Sequence, residues 1–99
     1  MGLGSRLRRL RKKKGFGLKR AAPDLGITYT YLSKVENERA VPSEGLLERM
    51  ATYYGVDETE LMLEADKIPA DIRRILRENP REALDYLRER FAGGGSGEQ

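Results

Sequence analysis

The stretch LGITYTYLSKVENE, residues 25–38, decides the fold of this chain. Its apolar residues Ile27, Leu32 and Val35 recur at the spacing of one helix face, and Thr28 precedes the helix as an N-cap. The polar residues between them fall on the opposite face: Tyr29, Thr30, Ser33 and Lys34. The stretch therefore predicts a short capped helix, buried on one side, with hydroxyl and ammonium groups on the other.

A second helix is predicted directly before this one, between Gly17 as its N-cap and Gly26 at its end. Only residues 25–28 separate the two helices, which is a length typical of a helix-turn-helix motif. Gly26 suits the corner because a tight turn between crossing helices often requires a positive φ. Pro23 lies inside the second helix, and we expect it to bend or shorten the last turn because proline lacks an N–H.

The remaining sequence also shows helical periodicity, with no sustained alternation for a strand. The predicted helices are residues 6–14, residues 44–54 capped by Ser43, a helix after Asp57 with Glu60 completing a capping box, residues 69–78 and residues 80–91. We therefore expect an all-α protein. Its organisation is a helix-turn-helix domain over residues 1–66, a short helical extension over 67–92 that is a candidate dimerisation element, and a disordered glycine-rich tail over 93–99.

Composition excludes several classes of protein. The 99 residues contain no Cys and no His, so disulfides, the usual zinc sites and most nucleophilic catalytic dyads are ruled out, and we expect no enzyme, metal or cofactor. No apolar run approaches the roughly 20 residues that a membrane span needs, so a cytoplasmic, nucleoid-associated protein is expected.

Charge is distributed unevenly along the chain. Residues 1–39 hold eleven Lys or Arg and three Asp or Glu, a net charge of +8, whereas residues 40–99 hold eight and thirteen, a net charge of −5. This asymmetry indicates a polyanionic partner for the first half. For any single residue of the basic run 6–14, a merely solvated helix face is an equally good explanation.

Three segments together resemble the Cro/C1-type helix-turn-helix proteins, the XRE family. They are GSRLRRLRKKKG, LKRAAPDLGITYTYLSKVEN and PSEGLLERMATYYGVDETEL, and the resemblance covers about residues 5–63. It implies a five-helix, lambda-repressor-like DNA-binding domain whose third helix enters the major groove of double-stranded DNA.

The resemblance also implies roles for individual residues. Those expected to contact bases are Tyr29, Thr30, Ser33 and Lys34, although Tyr29 could instead lie across a phosphate. Those expected to contact phosphates are Lys14, Lys19, Arg20, Asn37 and Arg39. Arg11 and Glu36 are expected to form a structural ion pair, and Tyr31 is expected to pack against the scaffold.

Two positions depart from the family pattern. Glu38 stands where the family usually has Gly, so either a non-glycine residue adopts the left-handed conformation or the helix ends differently. Pro23 replaces what is usually a long polar residue. Both departures bear on the phosphate contacts.

The expected function is a sequence-specific transcriptional regulator that acts as a repressor, with no small-molecule ligand. Three or four base contacts of roughly 1–3 kcal/mol each are too few for a monomer, so a homodimer on a palindromic operator is expected. The extension either forms the dimer contact or folds back onto the fourth and fifth helices. The alternatives are an antitoxin or interaction module that binds a partner protein through its C-terminal half, and the controller protein of a restriction system.

Overall fold

The computed structural model describes residues 2–92, and all the secondary structure in this range is helical. The helices are α1 Leu3–Lys13, α2 Leu18–Leu25, α3 Tyr29–Glu36, α4 Glu44–Tyr54, α5 Glu58–Glu64, α6 Ala70–Glu78 and α7 Pro80–Leu87, followed by a π-helical segment Arg88–Ala92. The all-α prediction is therefore confirmed. The tail predicted to be disordered, residues 93–99, lies outside the described residues. None of the described helices is both long and apolar enough to cross a membrane.

The chain divides into two compact units between Lys67 and Ile68. The first unit contains α1 to α5. The second contains α6, α7 and the π-helical segment. The division falls one residue after the boundary expected from the sequence.

The predicted helix caps are present. Thr28, Ser43 and Asp57 each accept a hydrogen bond from the backbone N–H three residues further on, at 3.0, 3.1 and 3.2 Å. Each cap satisfies one of the N–H groups that a helix leaves unpaired in its first turn. Gly26 ends α2 with a left-handed φ of 76°, as the tight corner requires.

The predicted capping box at α5 was right for Asp57 and wrong for Glu60. Asp57 caps the helix, but the Glu60 carboxylate accepts a hydrogen bond from Arg6 at 3.3 Å and does not return to the Asp57 backbone. The same guanidinium donates to Glu64 at 3.0 Å. A charged donor is a stronger partner for a carboxylate than a neutral backbone N–H, so Arg6 links α1 to α5 instead.

The start of α1 and the end of α7 differ from the prediction. Helix α1 begins at Leu3, before residue 6, because Leu3 and Gly4 are buried and continue the packed face. Helix α2 has the predicted ends, at Gly17 and Gly26, so Pro23 does not shorten it; the exposed proline removes only one hydrogen bond near the helix end. Helix α7 ends at Leu87, and the last predicted turn is the π-helical segment.

The core of the first unit lies under α3. Its largest fully buried apolar side chains are Leu7, Leu25, Leu32, Val35, Leu47, Met50 and Leu61, contributed by all five helices. Ala22 of α2 is also fully buried, where a small side chain allows α2 to approach α3. Tyr31 is half-buried against this core, as predicted. Burial of Leu32 and Val35 on one side of α3 directs the opposite side outward.

Helix α1 approaches the end of α3 very closely at Gly4. A methyl group added at Gly4 would lie 2.5 Å from the Glu36 carbonyl oxygen and 2.6 Å from that of Val35. Only glycine allows this distance between the two backbones. The contact fixes α1 against the C-terminal end of α3.

Candidate DNA-recognition surface

The outer face of α3 carries the four residues predicted to contact bases. Tyr29 and Ser33 are four residues apart, as are Thr30 and Lys34, so the two pairs lie side by side along one face of the helix. Tyr29, Thr30 and Lys34 are exposed. Within residues 2–92 their side chains take part in no hydrogen bond or ion pair, so they are available to a ligand.

Ser33 is held differently from the other three. It is half-buried, and its Oγ accepts a hydrogen bond from Nδ2 of Asn37 at 3.3 Å. The same amide nitrogen donates to the Ser33 carbonyl oxygen at 2.9 Å. The structure therefore brings Ser33 and Asn37 together at the end of α3, and Asn37 has an internal partner for its amide.

The five residues predicted to contact phosphates fall into two groups. Lys19 and Arg39 are exposed, and their side chains have no charged or hydrogen-bonding partner in the described part of the chain. Lys14 lies 5.4 Å from the ring centroid of Phe16, and the Arg20 guanidinium lies 4.1 Å from it. Cation–π contacts and the Asn37 bonds therefore hold the remaining three residues against the protein.

The α3 helix is anchored from beneath by Arg11. Its Nε and Nη2 donate to the two carboxylate oxygens of Glu36, both at 2.8 Å, and its Nη1 donates to the Phe16 carbonyl oxygen at 3.0 Å. Both side chains are almost fully buried. The hydrogen bonds to Glu36 raise the pKa of Arg11, an effect opposed by burial. Arg11 thus remains charged and orients α3 relative to α1.

Arg8 is a residue of this surface that the sequence analysis did not single out. Its Nη2 donates to Oδ1 of Asn37 at 2.6 Å, and its Nε lies 3.6 Å from Oε1 of Glu36. Arg8 lies one helical turn before Arg11, so both reach the same end of α3. That spacing is the signal by which it could have been found within the basic run.

Glu38 adopts the left-handed conformation, with φ of 62°. This outcome decides between the two alternatives left open by the sequence. The Glu38 carboxylate accepts a hydrogen bond from the backbone N–H of Ser5 at 3.3 Å, in the first turn of α1. A negative charge is favourable at a helix N-terminus, so the residue that replaces glycine stabilises α1.

The turn between α2 and α3 is secured from α4. Arg49 donates through Nε to the Leu25 carbonyl oxygen at 3.1 Å, and the Tyr53 hydroxyl donates to Asp24 at 2.7 Å. Burial, followed by this hydrogen bond, raises the pKa of Tyr53 to about 12. These bonds hold α2 and the corner in place, so that α3 is presented on a rigid support.

Known proteins are similar to this chain in sequence and in fold. The family model of a helix-turn-helix domain matches residues 2–63. Over 91% of its length the chain resembles a solved structure of the SinR protein/SinI protein complex, with a TM-score of 0.57, 27% sequence identity and 98% of that chain covered.

Two curated relatives are similar in sequence. The chain is 38% identical over 74 residues to the propionyl-CoA carboxylase regulator of Cereibacter sphaeroides, which covers 74% of this chain and 16% of that protein. It is 30% identical over 64 residues to the HTH-type transcriptional regulator PuuR of Escherichia coli, which covers 65% of this chain and 35% of that protein. The chain thus spans about a sixth and about a third of the lengths of these two relatives.

The family match extends across α1 to α5, the unit that carries the corner at Gly26 and the outward face of α3. The chain therefore belongs to the Cro/C1-type (XRE) family of helix-turn-helix proteins.

Proposed function

We propose that the chain is a sequence-specific transcriptional repressor that reads the major groove of a palindromic operator as a homodimer, with α3 as the reading helix. The observation that carries this proposal is the contrast between the two faces of α3. One face is fully buried through Leu32 and Val35. The other presents Tyr29, Thr30 and Lys34 without internal partners among the described residues. Such a face is available for base contacts.

The exposed groups suit base edges. The Lys34 ammonium can donate to O6 and N7 of guanine, and the hydroxyl of Thr30 can donate or accept. The Tyr29 ring, half exposed at 50%, can pack against a thymine methyl group or lie across a phosphate. Lys19 and Arg39 are the phosphate contacts that the geometry favours, since neither is engaged elsewhere in residues 2–92.

The second unit supports the homodimer. Its apolar side chains are exposed, with Tyr86 at 63% and Phe91 at 74%. An open groove of about 500 Å³ lies between α6 and α7, lined mainly by Ile72, Ile75, Leu76, Ala83, Tyr86 and Leu87. Residues 68–92 carry six Arg and five Asp or Glu, so two copies would meet with little charge repulsion. A second copy of the extension is the partner we propose for this surface.

Repression requires little beyond operator occupancy, because a dimer bound over a promoter excludes other proteins from the same DNA. We propose that this happens in the cytoplasm, at the nucleoid. Both curated relatives are regulators, and PuuR is a transcriptional regulator, which supports a role in transcription.

Selection from random DNA fragments followed by sequencing tests the proposal. The expected result is one enriched palindromic motif, with half-sites about 34 Å apart. Failure to enrich any motif would contradict sequence-specific binding. Solution mass tests the dimer: the chain should be dimeric, Tyr86→Arg with Phe91→Arg should be monomeric, and Arg81→Gln, an exposed change in the same helix as Tyr86, should remain dimeric.

A partner-protein function is the second candidate, as an antitoxin or interaction module acting through the C-terminal half. The observation that favours it is the same apolar groove, together with the likeness to a chain from the SinR protein/SinI protein complex. Co-purification from the native cell distinguishes the two. A stoichiometric complex that requires residues 67–92, combined with absent DNA binding, would favour this second function over the repressor.

A further inference from the structure

We infer that Arg8 and Asn37 set the hydrogen-bonding direction of Ser33, so that the Ser33 hydroxyl donates its proton to DNA and selects a base edge with an acceptor. This inference rests on the proposed function, in which Ser33 faces a base. It makes Arg8 and Asn37 positioning residues for base recognition. It also replaces the phosphate contact that the sequence predicted for Asn37.

The first step is the orientation of the Asn37 amide. An arginine side chain has N–H donors and no acceptor, so the group that faces it must be an oxygen. Arg8 Nη2 lies 2.6 Å from Oδ1 of Asn37. Arg8 is itself held in place by Glu36, through the carbonyl oxygen at 3.5 Å and the carboxylate at 3.6 Å. Arg8 therefore favours the orientation in which the amide oxygen points toward α1.

The orientation of the Asn37 amide determines which atom of it faces Ser33. With Oδ1 turned toward Arg8, Nδ2 must face Ser33, at 2.9 Å from its carbonyl oxygen and 3.3 Å from its Oγ. An amide nitrogen can only donate, so the Ser33 Oγ accepts. The Arg8 guanidinium on one side and the Ser33 carbonyl oxygen on the other therefore both orient the amide, and the amide sets the direction of its hydrogen bond to the Ser33 hydroxyl.

The third step concerns the single proton of the Ser33 hydroxyl. A serine within a helix often donates to the carbonyl four residues earlier. Here no described residue accepts a hydrogen bond from Ser33 Oγ. With one lone pair occupied by Asn37, the proton has no acceptor among the described residues and is available to an acceptor on DNA. Acceptors in the major groove are N7 and O6 of guanine, N7 of adenine and O4 of thymine.

Asn37→Asp tests this direction at nearly constant side-chain size, while it also removes the hydrogen bond to the Ser33 carbonyl oxygen. Both oxygens of the introduced carboxylate accept, so the pair with Arg8 is kept, but the Ser33 hydroxyl must now donate to residue 37 and present a lone pair to DNA. We expect the preferred base at one position of each half-site to change to one that presents a donor, N4 of cytosine or N6 of adenine. The relative preference there should change by about tenfold.

The experiment is selection and sequencing with the full chain, and Ser33→Ala first identifies the position that Ser33 reads. The negative charge that Asn37→Asp adds will weaken binding to all sequences alike, so the readout is the base preference and not the affinity. Asn37→Asp combined with Ser33→Ala should have the same base preference at that position as Ser33→Ala alone, because the Ser33 hydroxyl is absent from both proteins.

Variants of Arg8 separate positioning from fold stability. Arg8→Met removes one of the two groups that orient the amide, the other being the Ser33 carbonyl oxygen, and should reduce discrimination at the Ser33 position. Arg8→Lys, which also only donates, should restore it. Arg9→Met is the matched control: Arg9 is exposed and has no hydrogen bond or ion pair among the described residues, so the base preference should be unchanged.

The outcomes distinguish this inference from the proposed function. If the wild type enriches no motif, the proposed function fails. If the motif exists and Asn37→Asp leaves the Ser33 position unchanged, or if Ser33→Ala alters no position, the inference alone is overturned.

Discussion

The Arg11 guanidinium and the Glu36 carboxylate form a buried two-point ion pair that joins α1 to the end of α3. Both N–O distances are 2.8 Å, and the Glu36 side chain is 1% exposed. Taking two charges out of water is costly, so a pair of this kind fixes geometry more than it adds stability. Its effect on function is to hold α3 at one angle to the rest of the domain.

Replacing only one partner of this ion pair should therefore destabilise the domain strongly. Arg11→Met or Glu36→Gln should each lower the free energy of unfolding by about 3–5 kcal/mol, because the remaining charge is left buried. The double variant should lose less than the sum of the two single changes. Urea unfolding measures all four proteins, with Arg9→Met as an exposed control expected within about 0.5 kcal/mol of the wild type. Additive losses would show that the pair is not coupled.

Two glycines inside helices should respond to alanine in opposite directions. Gly4→Ala should destabilise the domain, since the methyl group would lie 2.5 Å from the Glu36 carbonyl oxygen. Gly45→Ala in α4 should stabilise it by up to about 1 kcal/mol, because alanine favours a helix. The nearest atom to that methyl group would be 3.9 Å away, on Arg49. Thermal unfolding of the two variants checks the prediction. A stable Gly4→Ala protein would contradict the close approach of α1 and α3.

The tyrosines of α4 predict a loss of stability at high pH. Burial is the main cause that raises the pKa of both Tyr53 and Tyr54 to about 12. The unfolded value is about 10, so the unfolded chain loses these protons first. The stability that the protonated tyrosines confer, relative to their ionised forms, is complete below about pH 10. It is lost as the pH rises toward about 12. Urea unfolding at about pH 8 and about pH 11 should show a smaller loss in Tyr53→Phe and Tyr54→Phe than in the wild type.

At neutral pH, Tyr53→Phe and Tyr54→Phe should change the free energy of unfolding differently. The buried Tyr54 hydroxyl has no hydrogen-bond partner in the described part of the chain, so Tyr54→Phe should be neutral or stabilising by up to about 1 kcal/mol. Tyr53 donates to Asp24 at 2.7 Å, so Tyr53→Phe should cost about 1 kcal/mol. A large loss in Tyr54→Phe would mean that its hydroxyl is satisfied after all.

Lys34 and Lys19 should affect DNA binding in different ways. Lys34→Ala removes a proposed base contact and should relax the preference at one position of each half-site by roughly 1–3 kcal/mol. Lys19→Ala removes a proposed phosphate contact and should weaken all sequences alike, with the salt slope reduced by about 0.9. Binding curves at several salt concentrations, on the selected site and on single-base variants, separate the two. Equal effects on every sequence for both variants would contradict the base-reading role of Lys34.

Local sequence signals predicted most of the helical framework. Thr28, Ser43 and Gly26 act within a few residues of themselves, so their roles as caps and corner were readable without a fold. The buried side of α3 was also predictable, because Leu32 and Val35 repeat at the helical period. Boundaries were less certain where packing decides them, as at Leu3, which joins α1 only because it is buried.

Hydrogen-bond and ion-pair partners that are distant in the chain could not be predicted from local sequence patterns. Glu60 has the spacing of a capping box, yet it pairs with Arg6, 54 residues away. Asn37 looks like a free amide at a helix end, yet Arg8 and Ser33 engage both of its ends. For Glu60 a charged group from α1 replaces the local backbone partner, because the charged donor is the stronger one. For Asn37 a charged group from α1 binds the amide oxygen in addition to the local partner Ser33.

The sequence by itself determined that this chain is helical, where α3 begins, and which of its side chains face outward, because caps and periodicity act over a few residues. The tertiary structure alone decided which polar side chains remain free. Lys34 and Lys19 stay exposed, whereas Asn37 is bound to Arg8. That choice depends on which helices meet, since a hydrogen bond or ion pair forms only where packing brings its two groups within about 3 Å.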